Sequence, residues 1–188
     1  MTSPKVTRAP RVSIIVVTWN SLRDLRWCLA AIAACDFTDI EVIVVDNASR
    51  DGTTEYLRAE HPTVKLLCND RNLGHSRGVN QGIQSAIGDY VLVLDADAEL
   101  SPGALGTMVD FLSDHEAVAI VSPQLLNTDG SPQHTSRSFP TGINGLFGRH
   151  SFLTRVFPNN PWSRRYLMTD APPVSYTHLT LPTTGHEC

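Results

Sequence analysis

Asp95 and Asp97, two carboxylates with one residue between them, close an apolar run that begins at Tyr90. A run so continuous in hydrophobicity is expected of a parallel strand covered on both faces. In an open α/β sheet, ligands bind where such strands end, at their carboxyl edge. Residues two apart in extended chain project the same way, so both carboxylates can converge on one hard cation. Mg²⁺ or Mn²⁺ held by one or two carboxylates plus phosphate oxygens is the usual arrangement. The competing reading is a polar turn after a strand, and the rest of the sequence has to decide between them.

Other chemistry-bearing residues follow apolar runs in the same way. Thr18-Trp19-Asn20 closes the β-branched run from Val12 to Val17. An aromatic flanked by hydrogen-bonding side chains suits a flat base; equally, it is a loop aromatic lying over a sheet. Asp46 ends the run Glu41 to Val45 and can accept from the ring N–H of a uracil or thymine, or serve as an Asx-turn in Asp46-Asn47-Ala48-Ser49. Asp51 reads better as a helix cap. Arg71, beside Asn72, can neutralise a phosphate or simply be solvated. Gly78 and Gly82 lie four apart, which fits either close ligand approach or tight helix packing. No Ser/His/Asp or Cys/His nucleophile set stands out, and each of the seven histidines reads as a surface or lone structural residue.

The elements that must position these residues alternate. Strands are predicted at 12–17, 41–45, 64–67, 90–94 and 117–121. Helices are predicted from Leu22 to about Ala34, from Asp51-Gly52 to about Glu60, from near Gly78 to about Ile87, and from Ser101-Pro102 to near His115. Ser21 or Asn20 is the expected cap of the first helix, and Pro102 the expected first helical residue of the last. Asp129-Gly130 carries a hairpin signal between 124–126 and 133–135. Strand and helix alternating in this way predict an α/β chain with a mostly parallel sheet flanked by helices. Beyond Phe139 the pattern decays, with one short helix expected around Phe147 to Phe157.

Composition sets bounds. The 188 residues are 41% apolar and 18% charged, an ordinary globular balance. A net charge of -4 leaves no electrostatic footprint for nucleic acid. No stretch reaches the roughly 18 apolar residues of a membrane span, and the polar 1–10 leader has no signal-peptide core. Cys28, Cys35, Cys68 and Cys188 form no metal-ligand spacing; Cys28 and Cys35 read as small buried apolar residues, and a cytoplasmic setting is expected. A dinucleotide-binding G-x-G-x-x-G is absent after the first strand, as is a P-loop.

Five landmarks occur in order: V-S-I-I-V-V-T-W-N, E-V-I-V-V-D-N-A-S-R-D-G-T, N-L-G-H-S-R-G-V-N-Q-G-I, G-D-Y-V-L-V-L-D-A-D-A and S-P-Q-L-L-N-T-D-G-S-P-Q-H-T-S-R-S-F-P. From Val12 to Phe139 the chain resembles the donor-binding half of an inverting family 2 glycosyltransferase, and the fifth landmark is similar to its rhamnosyltransferase-like branch. The resemblance implies the GT-A fold, a nucleotide-diphospho-sugar transferase-like architecture. It further implies that Thr18, Trp19 and Asn20 line the base pocket, that Asp46 binds the base, and that Arg71 and Asn72 lie near the nucleotide. Asp95 would sit near ribose and metal, with Asp97 the metal ligand and Mg²⁺ or Mn²⁺ the cofactor. Two positions depart from the pattern: Asn47 stands where many members have a second acidic residue, and Val79 where many have arginine.

The implied reaction moves a sugar, with rhamnose a candidate, from a dTDP- or UDP-sugar to a polysaccharide or lipid-linked acceptor. The expected setting is cytoplasmic, with the inner membrane face and peripheral membrane association of the parent protein as a further expectation. The family's catalytic base follows the DxD in an acidic motif with no counterpart here, so the chain is expected to be C-terminally truncated and inactive by itself. Residues 174–188 resemble the in-frame translation of a sequencing adapter and are expected to be non-native. The expected organisation is therefore a leader at 1–10, a nucleotide-sugar-binding core at 11–139, the start of an acceptor-side region at 140–173, and that tail. The alternative is an inert nucleotide-sugar-binding module. A nucleotidyltransferase is disfavoured by the missing glycine-rich phosphate loop.

Overall fold

The computed structural model describes residues 12–127, 129–131 and 133. They fall in two compact units, one through Phe111 and one from Leu112 onward. The first unit is built on four strands: β1 (Val12–Thr18), β2 (Ile40–Asp46), β3 (Lys65–Cys68) and β4 (Tyr90–Asp95). Every neighbouring pair is parallel, in the order β3-β2-β1-β4. Parallel neighbours need crossovers, supplied by α1 (Leu22–Ala33), α2 (Thr53–Glu60) and α3 (His75–Ser85); α4 (Ala104–Asp114) follows the sheet.

The β-branched run of β1 places it centrally, and Val12 to Val16 are all buried. Its two faces meet different layers, since successive side chains alternate. On one face α3 comes in on its glycines. A Cβ on Gly78 would stand 2.7 Å from Val17, and one on Gly82 2.4 Å from Ile15. Tight packing, not ligand contact, is therefore what these two glycines serve. The amphipathic helices turn inward as their spacing requires: Leu25, Cys28, Leu29 and Ile32 of α1, Leu57 of α2, and Leu105, Met108 and Val109 of α4. Ser13, buried on β1, donates to Glu41 on β2. These two side chains accept the Gly88 and Ile87 N–H groups at 2.9 and 2.7 Å, which fixes the turn into β4.

Several expectations are corrected. Among the described residues the Tyr90–Leu94 run is not covered on both faces: β4 lies at the edge of the described strands, and Val91 and Val93 are each 43% exposed. Hydrophobicity does not distinguish an edge from a centre when the helix overhead, α3, lies on β1 and β2. Cys35 is only half-buried, whereas Cys28 is fully buried as expected. Helix α4 starts at Ala104 and not at Pro102, because Gly103 adopts φ +75° and separates the proline from the helix.

In the second unit, 117–121 forms no strand. A turn from His115 to Val118 leads into it, and Ile120 is exposed. The hairpin signal is realised in the hydrogen bonds Asn127 N–H to Ser131 O and Gln133 N–H to Leu125 O, with Gly130 at φ +80°. The expected helix at 147–157, the leader and the tail lie outside the described residues. Among the described residues no helix is long and apolar enough to cross a membrane.

Candidate functional site

Strand register sets Thr18 of β1 beside Asp46 of β2, and Val17 of β1 beside Asp95 of β4. The ends of three strands are thus level at one sheet edge, and residues some 77 positions apart in sequence meet there. Asp46 is 1% exposed and Thr18 2%. Asp46 Oδ2 accepts the Ser49 N–H at 3.0 Å, but Asp46 Oδ1 and Thr18 Oγ1 have no partner. A buried polar atom without a partner costs about 1–3 kcal/mol, and native structures keep few of them. Two on neighbouring strands, both at the carboxyl edge, suit a site that completes its hydrogen bonds with a ligand. The carboxylate oxygen would accept and the hydroxyl could donate or accept.

The loops beside this pair are clasped together. Asn20 N–H donates to Ser49 Oγ at 2.8 Å, and Arg50 N–H donates to Asn20 Oδ1 at 2.7 Å. Asn20 (φ +51°) and Ala48 (φ +62°) both occupy the left-handed region, which disfavours residues with a Cβ. The cross-loop hydrogen bonds offset that strain. Trp19, held between these anchors, is 55% exposed. Asn20 thus shares the edge with Thr18 and Trp19, but its side-chain oxygen is committed to the neighbouring loop.

Neither Ser21 nor Asn20 caps α1. The Leu22 N–H instead finds Asp51 Oδ2 at 2.8 Å, while Asp51 Oδ1 accepts the Thr53 hydroxyl and N–H at 2.6 and 3.2 Å. One carboxylate therefore serves the first residue of two helices, where a negative charge is also favoured by the dipole. Desolvation pushes this carboxyl up, but the hydrogen bonds from Thr53 and Leu22 outweigh it and hold Asp51 below its ordinary value.

Asn47, buried, organises the loop before α3. Its Oδ1 accepts from Asn69 Nδ2 at 2.9 Å and from the Leu73 N–H, and its Nδ2 donates to Gly74 O. Asn69 is paired in turn with Gln81. Arg71 and Asn72 are exposed on this loop, and Asn72 Oδ1 takes the Gly74 N–H at 2.8 Å in the turn that opens α3.

Asp95 is the last residue of β4, but Asp97 lies beyond it in a turn, so the two do not share one stretch of extended chain. The Ala98 N–H bonds back to Asp95 O at 3.0 Å, so the chain turns as it leaves β4, with Ala96 buried and both carboxylates exposed. Beneath them Cys28 Sγ approaches Asp95 O at 3.7 Å. Burial, then the negative charges of Asp97, Glu99 and Asp95, push the Cys28 thiol up to about 12. A thiol so protonated is packing, not a nucleophile. The same shift registers an acidic field at this turn to which Glu99, unremarked in the sequence, contributes. Among the described residues no three His, Cys, Asp or Glu side chains cluster as a ligand set. The exposed all-oxygen pair fits Mg²⁺ or Mn²⁺ whose remaining ligands are phosphate oxygens and water. His75, the first residue of α3, also stands at this edge, its Nε2 4.0 Å from Asp95 Oδ1.

The model of the family Glycosyl transferase family 2 matches residues 13–171. An N-acetylglucosaminyl-diphospho-decaprenol L-rhamnosyltransferase of Mycobacterium tuberculosis is 28% identical over 164 residues, covering 81% of this chain and 53% of that protein. A GalNAc(5)-diNAcBac-PP-undecaprenol beta-1,3-glucosyltransferase of Campylobacter jejuni is 35% identical over 104 residues, 53% of this chain and 34% of that one. The chain thus spans about half the length of the mycobacterial relative and less of the other. Among solved structures, S. aureus TarS 1-349 in complex with UDP matches at TM-score 0.57 and 28% identity, covering 66% of this chain and 38% of that one. The mannosyltransferase PcManGT of Pyrobaculum calidifontis, in complex with GDP-Man and Mn²⁺, matches at TM-score 0.51 and 30% identity, covering 63% and 35%. The parallel sheet with its flanking helices is that of these GT-A neighbours.

Proposed function

The chain belongs to glycosyl transferase family 2, and from that premise we propose that its sheet edge binds the nucleoside diphosphate of a sugar donor for transfer to a polysaccharide or lipid-linked acceptor. The observation that carries this reading is the unpartnered pair Thr18 Oγ1 and Asp46 Oδ1, buried at the carboxyl edge beside the acidic turn. Asp46 would accept from the base, with Thr18 beside it and Trp19 offering a flat apolar face. The exposed Arg71 and Asn72 lie on the loop into α3 and would come near the nucleotide.

Asp95 and Asp97 would hold Mg²⁺ or Mn²⁺, as the acidic field at Cys28 and the all-oxygen pair favour. When bound, the cation supplies electrostatic stabilisation of the charge that develops on the departing diphosphate. The protein's own contribution is placement: three strand ends in register, two clasped loops, and a helix seated by glycines. An inverting reaction also requires a base for the acceptor hydroxyl, and we assign that role to none of the described residues.

A rhamnose donor is favoured by the mycobacterial relative, itself named an L-rhamnosyltransferase. Both relatives' names specify polyprenyl-diphosphate-linked acceptors, which favours work at the cytoplasmic face of a membrane.

The test is to incubate the chain with Mn²⁺ and a panel of UDP-, dTDP- and GDP-sugars, measuring binding and nucleoside diphosphate release together. Release above the protein-free blank supports a transferase. Binding without release favours a donor-binding module. No binding of any donor contradicts both.

A further inference from the structure

We infer that His75 is a positioning residue for Asp95, holding one carboxylate oxygen so that the other is presented to the cation; this rests on the donor-site reading above. The argument begins at Gly78 and Gly82. Because they let α3 approach β1 until Val17 and Ile15 fill the space of a side chain, α3 has little freedom to slide or rotate on the sheet. His75 stands almost one turn before Gly78, at the end of α3 that reaches the carboxyl edge. Val17, the residue against Gly78, is the register partner of Asp95. The glycine contact thus fixes the backbone of His75 close to the end of β4, within reach of Asp95.

Nε2 lies 4.0 Å from Asp95 Oδ1, with both side chains more than half exposed. That separation exceeds a hydrogen bond, and two exposed side chains can close it by rotation or through one bridging water. A neutral imidazole protonated at Nε2 is a sufficient donor, so the role does not depend on the charge of His75. Partners of this kind orient a metal-binding carboxylate, and their loss usually costs 10- to 100-fold in metal affinity. Asp95 has particular need of one, because the chain turns directly after it and leaves its side chain in solvent.

The experiment titrates Mn²⁺, followed by electron paramagnetic resonance, into the full chain saturated with UDP and again with dTDP. Wild type, His75→Ala, His75→Gln and Asp97→Ala are compared. We expect His75→Ala to weaken Mn²⁺ by about 10-fold or more, with an unchanged unfolding midpoint. His75→Gln, whose amide can still donate, should recover most of that loss. Unaltered Mn²⁺ affinity in His75→Ala, while Asp97→Ala abolishes it, would overturn the role of His75 and leave the donor site standing. A loss that His75→Gln fails to recover would also overturn it. Absence of nucleotide-dependent Mn²⁺ binding by wild type would overturn the donor-site reading and this inference with it.

Discussion

Asp51 accepts the backbone N–H of Leu22 at 2.8 Å across 29 residues of sequence, so the helix that follows β1 is capped from the loop that follows β2. The same carboxylate takes the Thr53 hydroxyl and N–H. Replacing Asp51 with alanine leaves two helix starts without their acceptor. A cap is worth about 1 kcal/mol, so Asp51→Ala should cost one to two such contributions in chemical denaturation.

That carboxylate also carries a pH signature. Its folded pKa lies below the ordinary value of 3.8, so the contribution is fully present above that value and is lost as pH falls through the lowered one. Wild type should therefore lose stability below about pH 4 more steeply than Asp51→Ala, a comparison made by urea unfolding at a series of pH values.

The two glycine environments predict opposite signs. Gly82→Ala sets a Cβ 2.4 Å from Ile15 Cγ2, within a core that has no room to give. Overpacking of this kind costs about 1–3 kcal/mol, and thermal unfolding should fall accordingly. Gly106 lies within α4 with nothing near its missing Cβ. Gly106→Ala should instead stabilise by about 0.5–1 kcal/mol.

Asp46→Ala should weaken nucleoside diphosphate binding while leaving the fold intact. The removed group is a buried carboxylate with one oxygen unpartnered, and a hydrogen bond to a charged group is worth about 1.5–3 kcal/mol. The dissociation constant measured by calorimetry should rise about 10- to 100-fold. An unchanged constant would mean that the orphaned oxygen does not meet the ligand.

Much of this architecture was legible because local patterns carry it. Periodicity located eight elements, since β-branched runs and i, i+3, i+4 spacing report directly on strands and amphipathic helices. What failed was non-local. Hydrophobicity of Tyr90–Leu94 could not show that β4 lies at the edge of the described sheet, because exposure depends on where α3 settles. The run at 117–121 has the strand composition, but nothing in the sequence says that no described neighbour pairs with it.

The site divides in the same way. Thr18, Asp46, Asp95 and Asp97 were visible as polar residues ending or following apolar runs. The clasp from Asn20 to Ser49 and Arg50, the organising role of Asn47, and the approach of His75 to Asp95 all link distant positions. Glu99 declares itself only through the charge it adds beside Cys28. The signal that could have flagged His75 was its place at the start of a helix bearing Gly78 and Gly82, a spacing that fixes which face meets the sheet.

The central claim is that the acidic turn and the buried orphan pair together form a cation-dependent nucleoside diphosphate site. The most direct measurement is isothermal titration of UDP and dTDP into wild type and Asp97→Ala, with Mn²⁺ and with chelator. The account predicts that wild type binds at least one of them in Mn²⁺, that chelator removes the binding, and that Asp97→Ala abolishes it. Equal affinity with and without the cation, or unaltered binding by Asp97→Ala, would contradict it.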